Sequence, residues 1–542
     1  MPEYLSPGVY IEEIAGPQPI QGVGTSTGAF VGIAERGPVN SAQLITNFTQ
    51  FATTFGSFTP SGFLAYAIRH FFNEGGARCY VVRAFKNSAA PSTANPRPDV
   101  ASATLNGAGT PGPVLVTVYA ASPGAWGNAV SVQASAAGFD PNDPSNAGKR
   151  FKIQVFETAR GATSPTLVET FDNVSMIEFD SAGFPNANHI EQRINGVSNY
   201  INVVHTIADP TQTDPPVFTA SPIALTGGGN GATLAASDLV GGAAAGTSLA
   251  TGLFAFDPVE DINIVAIPDL VGPAFTAQQS RDATLQALAY CGNRQDCFFI
   301  ADVPSGQTPQ NALAYKRGQA PFSGNAFNTK YGALYYPWIT VADPITSGQK
   351  LFPPSGAVAG RYAGTDIERG VQKAAAGTES GYINSALDIE RVVTKGEQDV
   401  LNPEGIDVIR KFPDAGIVIW GARTLTTDPE WIYVNVRRLV TFIEQSILRG
   451  TQNRVFEPID STLFKGIVRD VGAFLREQWL SGLLFGDKAE QAFFVQCDNE
   501  TNPPESIALG RVVTRVGIAP VRPAEFVIFQ IQQISGSGSV SE

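Results

Sequence analysis

The stretch Gly416–Gln533 has the most regular pattern of this 542-residue sequence. It opens with the apolar run Ile417-Val418-Ile419-Trp420 and continues into Asp428-Pro429-Glu430-Trp431. An aspartate at the N-cap, a proline at the first helical position and an acidic first turn predict that a helix begins there. Its apolar face, at three- to four-residue spacing, consists of Ile432, Val436, Leu439, Val440, Ile443 and Ile447. The predicted polar face consists of Asn435, Arg437, Arg438, Thr441, Glu444 and Gln445.

A second helix is predicted from Asp460 onwards, because an aspartate is a favoured N-cap. Its apolar stripe consists of Phe464, Ile467, Val468, Val471, Leu475 and Trp479. At about 100° per residue, Lys465, Arg469 and Arg476 fall within about 40° of one another beside that stripe. A basic flank of this kind is either a solvated helix surface or a contact with an acidic partner.

Two β segments close the stretch. Residues 511–518 alternate in polarity, which places Val512, Thr514, Val516 and Ile518 on one face of a strand. The segment Phe526-Val527-Ile528-Phe529-Gln530-Ile531 is apolar on both faces before it turns polar. The intervening Ala519–Pro523 predicts a hairpin-like connection between the two segments.

A short strand is also predicted near the start of the sequence. Val9-Tyr10-Ile11-Glu12 is bracketed by Pro7-Gly8 and Gly16-Pro17. A lone strand cannot satisfy its backbone donors and acceptors, so it needs a sheet partner, either in its own chain or in another one.

Between these ends, strands alternate with helices in two blocks, which predicts an α/β domain with a partly parallel sheet. The first block has strands at 28–34 and 79–84 and a helix at 62–73. The second has strands at 262–267, 297–303 and 332–341 and helices at 276–291 and 309–319. Residues 86–256 interrupt it as a β-rich insertion, with strands at 114–119, 130–134, 152–157 and 166–171 and a helix near 189–201. The Gly- and Ala-rich residues 227–246 are predicted to be a flexible return.

Composition restricts the classes of function. The length predicts two to four domains, and 43% apolar residues indicate a globular protein. No apolar run reaches about 18 residues and the first residues lack a signal-peptide pattern, so neither a membrane span nor secretion is predicted. A net charge of −13 argues against a nucleic-acid-binding surface. The four scattered cysteines are predicted to be reduced thiols, without the spacing of metal ligands.

Two enzyme motifs occur without the structural context that they need. Gly24-Thr25-Ser26-Thr27-Gly28 matches the nucleophile elbow G-x-S-x-G, but a predicted strand follows it where a helix is required. Gly107–Gly112 matches G-x-G-x-x-G, and again a strand follows, which favours a β-turn. We therefore predict that the protein is not an enzyme and has no catalytic, cofactor or metal site. The alternative is an α/β hydrolase with Ser26 as its nucleophile.

The segments that identify a family lie mainly in the last third of the sequence. They are Asn402-Pro403-Glu404-Gly405-Ile406, Gly421-Ala422-Arg423-Thr424-Leu425, residues 430–439 and Phe456-Glu457-Pro458, with Tyr4–Glu13, Pro353–Gly360 and Glu368–Val371 in agreement. These segments resemble the contractile tail sheath proteins of myophages, phage-tail-like bacteriocins and related contractile injection systems. The resemblance covers about residues 1–85 and 257–533 and leaves out the middle of the chain.

The resemblance implies a multidomain fold of α/β and α+β parts. It implies a strand arm at 1–25, an α/β domain at 26–85 plus 257–350, an outward-pointing insertion at 86–256, a C-terminal sheath core at 351–523, and a second arm with a tail at 524–542. The arm strands would be Val9–Glu12 and Phe526–Ile531, added to a sheet of a neighbouring subunit at Val512, Thr514, Val516 and Ile518. The resemblance implies charge contacts between sheath and inner tube, and the basic flank Lys465, Arg469 and Arg476 is a candidate for them beside its interpretation as a solvated helix surface.

The implied function is that of a structural subunit. Copies would polymerise around an inner tube and contract from a metastable extended state, which drives the tube through a target envelope. The implied partners are other copies, the inner tube protein, and baseplate and tail-terminator or cap proteins, without nucleic acid or membrane insertion. The protein would be made in the bacterial cytoplasm and become part of a phage tail or tail-like particle. Another self-assembling shell or surface-layer subunit is the second alternative, and the kind of contractile machine stays open.

Overall fold

The computed structural model describes residues 20–93, 95–109, 112–137, 149–179, 183–206, 214–246 and 249–530. The chain divides into two compact units. The first, here called the sheet unit, contains residues 26–365 and 375–427. The second, here called the C-terminal unit, contains the described residues up to 25, residues 366–374 and the residues from 428 onwards. The predicted arm strand Val9–Glu12 lies outside the described residues.

The strands in the described part of the chain are short, as expected for globular domains. They are β1 Gly28–Gly32, β2 Gln43–Ile45, β3 Cys79–Arg83, β4 Ser102–Asn106, β5 Val114–Ala120, β6 Val130–Ala136, β7 Arg150–Glu157, β8 Thr166–Ser175, β9 Ile201–His205, β10 Ile223–Ala224, β11 Ile264–Ala266, β12 Phe298–Asp302, β13 Gly332–Tyr336, β14 Ile339–Ala342, β15 Gln349–Phe352, β16 Asp388–Ile389, β17 Ile406–Phe412, β18 Gly416–Ile419, β19 Phe493–Gln496 and β20 Arg515–Ile518.

The helices of the same residues range from single turns to five turns. They are α1 Phe48–Phe55, α2 Leu64–Asn73, α3 Ile190–Ile194, α4 Ala236–Val240, α5 Ala277–Arg294, α6 Pro309–Arg317, α7 Ser355–Arg369, α8 Gly377–Ser380, α9 Lys395–Leu401, α10 Val434–Gly450, α11 Ser461–Leu480, α12 Ala489–Ala492 and α13 Pro504–Ala508.

The sheet unit is built on an eight-stranded sheet with the order β18-β17-β13-β12-β11-β1-β3-β2. The six central strands are mutually parallel, and β18 and β2 are antiparallel at the two edges. Strands β1, β12 and β13 are buried along their whole length. This confirms the prediction of a partly parallel sheet, and it explains why these strands are continuous apolar runs in the sequence.

The predicted strand 332–341 is wrong in one respect, because the chain forms two strands there. Strand β13 ends at Tyr336 and Pro337 follows, which has no N–H to donate to a ladder. After it, β14 joins a separate three-stranded sheet with the order β15-β14-β16.

A stripe of glycines packs helix α7 closely onto α2 within the sheet unit. A Cβ at Gly356 would lie 2.5 Å from the Cα of Ala67, and a Cβ at Gly360 would lie 2.5 Å from the carbonyl oxygen of Phe71. The two glycines are four residues apart, so they lie on one face of α7. The two helix backbones therefore approach more closely than any side chain on that face would allow.

The residues of the β-rich middle form two antiparallel sheets with a core of their own. One sheet has the order β4-β5-β9 and the other β10-β6-β7-β8. Their shared core includes Leu115, Val132, Phe151 and Ile153. The predicted helix 189–201 was too long: α3 ends at Ile194, and β9 begins at Ile201.

The Gly- and Ala-rich return also contains regular structure. Helix α4 lies within it, and its Ala236, Leu239 and Val240 are buried in the core of the eight-stranded sheet. The composition of 227–246 predicted only a flexible connection, because small residues give little hydrophobic signal.

In the C-terminal unit, α10 and α11 enclose a core that includes Leu439, Ile443, Val471, Phe474 and Leu475. Asp460 caps α11 as predicted, since its carboxylate accepts the N–H of Leu463 at 2.7 Å. The predicted start of α10 is wrong. The carboxylate of Asp428 accepts the N–H of Glu430 at 3.0 Å and closes a turn, and the helix begins later, at Val434.

Candidate assembly site

Part of the predicted polar face of α10 is buried, contrary to the sequence prediction, whereas Glu444 on that face is exposed. Asn435, Arg437 and Arg438 are all buried, together with the apolar positions Val436 and Leu439. A buried guanidinium needs a partner, because an unpaired charge inside a protein costs several kcal/mol. The partners of the two arginines therefore explain how this helix is held in the unit.

Arg438 ties three separate segments of the C-terminal unit together. Its two terminal nitrogens donate to the two carboxylate oxygens of Asp366, at 2.9 and 2.6 Å. One of them also donates to the carbonyl oxygen of Thr25 at 2.9 Å. Burial raises the pKa of Asp366, and the Arg438 guanidinium opposes that rise. The fork geometry fits Arg and not Lys at this position.

Arg437 joins the start of α10 to its exposed side. Its guanidinium lies 4.6 Å from the ring centroid of Trp431 and donates to the carboxylate of Glu444 at 2.5 Å. The indole thus covers an arginine that the sequence pattern had assigned to solvent. Nothing in the 3.6-residue period distinguishes such an arginine from an exposed one.

Strands β19 and β20 form a two-stranded antiparallel sheet, here called the ribbon, with Phe493 opposite Ile518 and Gln496 opposite Arg515. The sequence analysis missed β19, although Phe493-Phe494-Val495 is a short β-prone run. Within the described residues, no further strand pairs with either outer edge of the ribbon. Isolated two-stranded sheets are marginally stable in water, so the ribbon has unused pairing capacity on both edges.

Only part of the predicted receiving strand belongs to the ribbon. Val516 and Ile518 lie in β20, whereas Val512 and Thr514 precede it. The reason is Asn502, which is buried: its amide accepts the N–H of Val513 at 2.5 Å and donates to its carbonyl oxygen at 3.0 Å. The backbone of Val513 is therefore already paired with a side chain.

The predicted hairpin between β20 and the last apolar segment does not form. Within the described residues, 521–530 contain no strand. The hydroxyl of Tyr433 donates to the carboxylate of Glu525 at 3.0 Å. Beyond that bond, Phe526, Val527, Ile528 and Phe529 are between 70% and 83% exposed, and Ile531 lies outside the described residues. Four consecutive large apolar side chains in water indicate a segment that lacks its partner.

The predicted basic flank of α11 is on the surface. Lys465, Arg469 and Arg476 are all exposed. Arg469 is partly neutralised, because it donates to the carboxylate of Asp470 at 2.9 Å, and Asp470 also pairs with Arg454. Asp470 thus offsets one of the two positive charges that Arg469 and Arg454 place beside it.

Comparison with known proteins identifies the family of this chain. Residues 242–425 match the model of the phage tail sheath protein central domain, and residues 426–534 match that of the phage tail sheath C-terminal domain. These two matches cover more than half of the chain. The chain belongs to the phage tail sheath family.

Individual relatives of this sheath protein agree. The tail sheath protein of Burkholderia phage BcepMu is 27% identical over 305 residues, which are 55% of this chain and 61% of that protein. The chain thus spans less than two thirds of that relative. The sheath tail protein Lin1278 of Listeria innocua has the same fold, with a TM-score of 0.59 at 15% identity, covering 93% of this chain and 96% of that one. A PVC sheath complex of an extracellular contractile injection system, solved in its contracted state, has a TM-score of 0.56 at 21% identity, covering 98% and 99%.

The geometry around Ser26 gives the hydrolase alternative no support. Ser26 precedes β1 and so lies at the amino edge of the parallel sheet, whereas ligands of open α/β sheets bind at the carboxyl edge. At the carboxyl edge, beside β1 and β11, the carboxylate of Asp269 accepts the N–H groups of Ile33 and Phe63. Burial raises the pKa of Asp269 to about 7, although both of these hydrogen bonds oppose the rise. At this point of the carboxyl edge, the Asp269 side chain therefore links the segment that follows β1 to the residue that precedes α2.

Three further predictions concern the state of the cysteines, metal sites and membrane spans. All four cysteines are free and buried, and the Sγ atoms of Cys291 and Cys297 lie 3.5 Å apart. Among the described residues, no group of three or more His, Cys, Asp or Glu side chains could hold a metal ion. In the same residues, no helix has both the length and the apolar character that a membrane span requires.

Proposed function

We propose that this chain is the subunit of a contractile sheath. Copies polymerise as a helix or stacked rings around an inner tube, and the polymer contracts from a metastable extended state to drive the tube through a target envelope. The observation that carries the proposal is the ribbon β19–β20, whose outer edges pair with no other strand within the described residues, in a unit that also presents an exposed apolar segment. In a chain of the sheath family, both features are explained if strands of neighbouring copies complete the sheet.

The two arms supply those strands. One is the segment around Val9–Glu12, and the other begins at Phe526. Residues Val516 and Ile518 of β20 lie on the receiving edge, with Val512 and Thr514 just before it. Burial of each large apolar side chain of the arm contributes about 1.5–3 kcal/mol, which offsets the entropy lost when the arm becomes ordered.

Strand pairing also suits a lattice that changes its geometry. Contraction requires two packings of the same rigid units that differ in interface free energy. Main-chain hydrogen bonds within a completed sheet survive a rotation of the whole sheet, whereas side-chain contacts between rigid surfaces are exchanged. The arms thus preserve connectivity while the other interfaces change.

The domain arrangement follows from this role. The C-terminal core at 351–523 forms the inner wall, and the insertion at 86–256 points outwards, where its variation costs the assembly least. Lys465, Arg469 and Arg476 face an inner tube of acidic surface. The polymer ends on baseplate and terminator or cap proteins, takes up no nucleic acid, does not insert into a membrane, and is assembled from protein made in the bacterial cytoplasm.

The tube contact is tested by charge reversal. Lys465→Glu combined with Arg476→Glu should reduce co-sedimentation with the inner tube protein, and the reduction should vanish at high salt because exposed charges are screened. Lys395→Glu with Lys411→Glu, which reverses two exposed lysines of the sheet unit, is the matched control. Equal loss in both variants would show a general charge effect and remove the tube contact from this flank.

Electron microscopy of negatively stained protein tests the function itself. The full chain, expressed alone and with its tube protein, is compared with variants that lack residues 1–14 or residues 526–542. A variant that lacks only the Gly- and Ser-rich residues 535–542 is the control. We expect hollow tubes from the full chain and from the control, and a loss of tubes when either arm is removed.

Three other results would change the conclusion. Closed shells or flat sheets would favour the shell or surface-layer alternative. Small uniform particles from the full chain, even with the tube protein present, would contradict the sheath function. Tubes from every variant would keep the sheath but remove the role of the arms.

A further inference from the structure

Residues 20–25, here called the N-terminal root, lie along helix α10 in the opposite direction to it. Thr25 accepts a hydrogen bond from Arg438 near the start of the helix. The N–H of Val23 donates to Oγ of Ser446 at 3.1 Å, two turns further on. Ile20 is buried next to Gly450, the last residue of α10. The root therefore follows the helix to its C-terminal end.

The lengths of the two partners match. The twelve steps from Arg438 to Gly450 span about 18 Å at the helical rise of 1.5 Å per residue. The five steps from Ile20 to Thr25 span about 17 Å if the chain is fully extended. The root is therefore about as long as the part of the helix that it follows, and it contacts that part at three points.

The surface of α10 that contacts the root, here called the seat, fits the root closely. A Cβ at Gly450 would lie 2.6 Å from Cγ2 of Ile20, and a Cβ at Gly22 would lie 2.9 Å from Cζ of Phe442. The hydroxyl of Ser446 accepts from Val23 while it donates to the carbonyl oxygen of Phe442 at 2.7 Å. Two glycines at points of close approach and a fully used hydroxyl indicate a specific site for the root.

The C-terminal segment is tied to the opposite end of the same helix. Tyr433, directly before α10, donates to Glu525, and the exposed apolar residues begin at Phe526. The seventeen steps from Tyr433 to Gly450 separate the two attachment points by about 25 Å.

We infer that α10 is the strut between the two arms: the N-terminal root is its fixed anchor at Gly450, and Tyr433 anchors the second arm at the other end. This inference rests on the proposed function of the arms. A pull from one neighbouring copy then reaches the next copy along a single helix, without passing through the sheet unit.

Hydrogen exchange of the full-length protein, measured by mass spectrometry, tests the anchor without any assembly. Gly450→Ala places a methyl group in the seat of Ile20, whereas Gly472→Ala on α11 has no atom within 4 Å of the new Cβ. Both substitutions replace a helical glycine with alanine, so neither variant loses helix propensity. We expect the amides of residues 20–25 to exchange about tenfold faster in Gly450→Ala, with unchanged protection in α11, and no change in Gly472→Ala.

The two anchors are then tested together in tubes. Gly450→Ala and Tyr433→Phe should each lower the yield of tubes, while Gly472→Ala keeps it. Unchanged exchange at residues 20–25 in Gly450→Ala would overturn the anchor. The strut would be overturned if residues 20–25 exchanged faster in Gly450→Ala and yet both Gly450→Ala and Tyr433→Phe formed tubes in normal yield. A wild-type chain that forms no tubes even with its tube protein contradicts the proposed function, and the exchange experiment still decides the anchor.

Discussion

Removal of either partner of the buried pair Arg438–Asp366 should be among the most damaging changes in the C-terminal unit. The side chains of Arg438 and Asp366 are only 7% and 1% exposed. Asp366→Leu would leave a buried guanidinium with the carbonyl oxygen of Thr25 as its remaining partner from this network. Loss of one partner of a buried ion pair typically costs about 3–5 kcal/mol, because the other charge stays desolvated.

The double variant separates this penalty from the net value of the pair. Asp366→Leu with Arg438→Met removes both charges and keeps most of the volume, and such replacements are often neutral or stabilising. We therefore expect the double variant to be more stable than either single variant, with a coupling energy of roughly 3 kcal/mol. Arg438→Met alone leaves the Asp366 carboxylate buried, and it should protonate more readily because burial already raises its pKa.

Urea unfolding of the full-length monomer, followed by hydrogen exchange of the amides in α10, measures these values for the C-terminal unit alone. With an m-value of about 1–3 kcal/mol/M, a loss of 4 kcal/mol moves the midpoint by roughly 2 M. The reasoning would be refuted if Asp366→Leu lowered the free energy of unfolding at α10 by less than about 1 kcal/mol. It would also be refuted if the loss of stability in the double variant equalled the sum of the losses in the two single variants.

Three further changes probe other parts of the chain. Because burial raises the pKa of Asp269 to about 7, the folded chain keeps a proton on it between about pH 4 and pH 7, where the unfolded chain has lost that proton. The free energy of unfolding should therefore fall as the pH rises through this range, and calorimetry of Asp269→Asn should show a flatter pH dependence than that of the wild type. Gly360→Ala should destabilise the sheet unit by about 1–3 kcal/mol through its contact with α2, whereas Gly396→Ala, with open space around it, should stabilise by up to about 1 kcal/mol in thermal unfolding. Asn502→Ala leaves the backbone of Val513 without its two amide bonds and should cost about 1–3 kcal/mol, seen as faster exchange at 511–514 while β12 stays protected.

The sequence predicted the sheet unit better than the C-terminal unit, for a physical reason. Parallel strands that are buried on both faces are continuous apolar runs, so β1 and β12 appear directly in the pattern. Hydrophobic periodicity treats every arginine as exposed, and so it misplaced Arg438, whose partner Asp366 lies 72 residues away. The helix start at Asp428 was misplaced because an N-cap residue and a turn residue use the same short side chain to accept a nearby N–H.

The candidate site was predictable only in its apolar parts. The strongly apolar character of the segment from Phe526 onwards is visible in the sequence, and the family resemblance assigned it to an arm, whereas its exposure appears only in the structure. Strand β19 has four residues, and a pattern of that length cannot be distinguished from many short apolar runs. The N-terminal root gave no signal at all, because Gly22 and Gly24 suggest a loose connector, and its order comes from contacts with a helix more than 400 residues away.

The two units differ in whether their buried polar groups, strand edges and apolar side chains have partners among the described residues, and this difference favours assembly as the function. In the sheet unit, the buried carboxylate of Asp269 at the carboxyl edge of the sheet has two backbone N–H groups as partners. In the C-terminal unit, the ribbon has two edges that no described strand pairs with, and the apolar side chains at 526–529 are in water. A monomeric protein would gain stability by covering both features with its own chain. Here the segment that could pair with the ribbon is instead tied at Glu525 and exposed beyond it, which supports our proposal that another copy supplies the complementary surface.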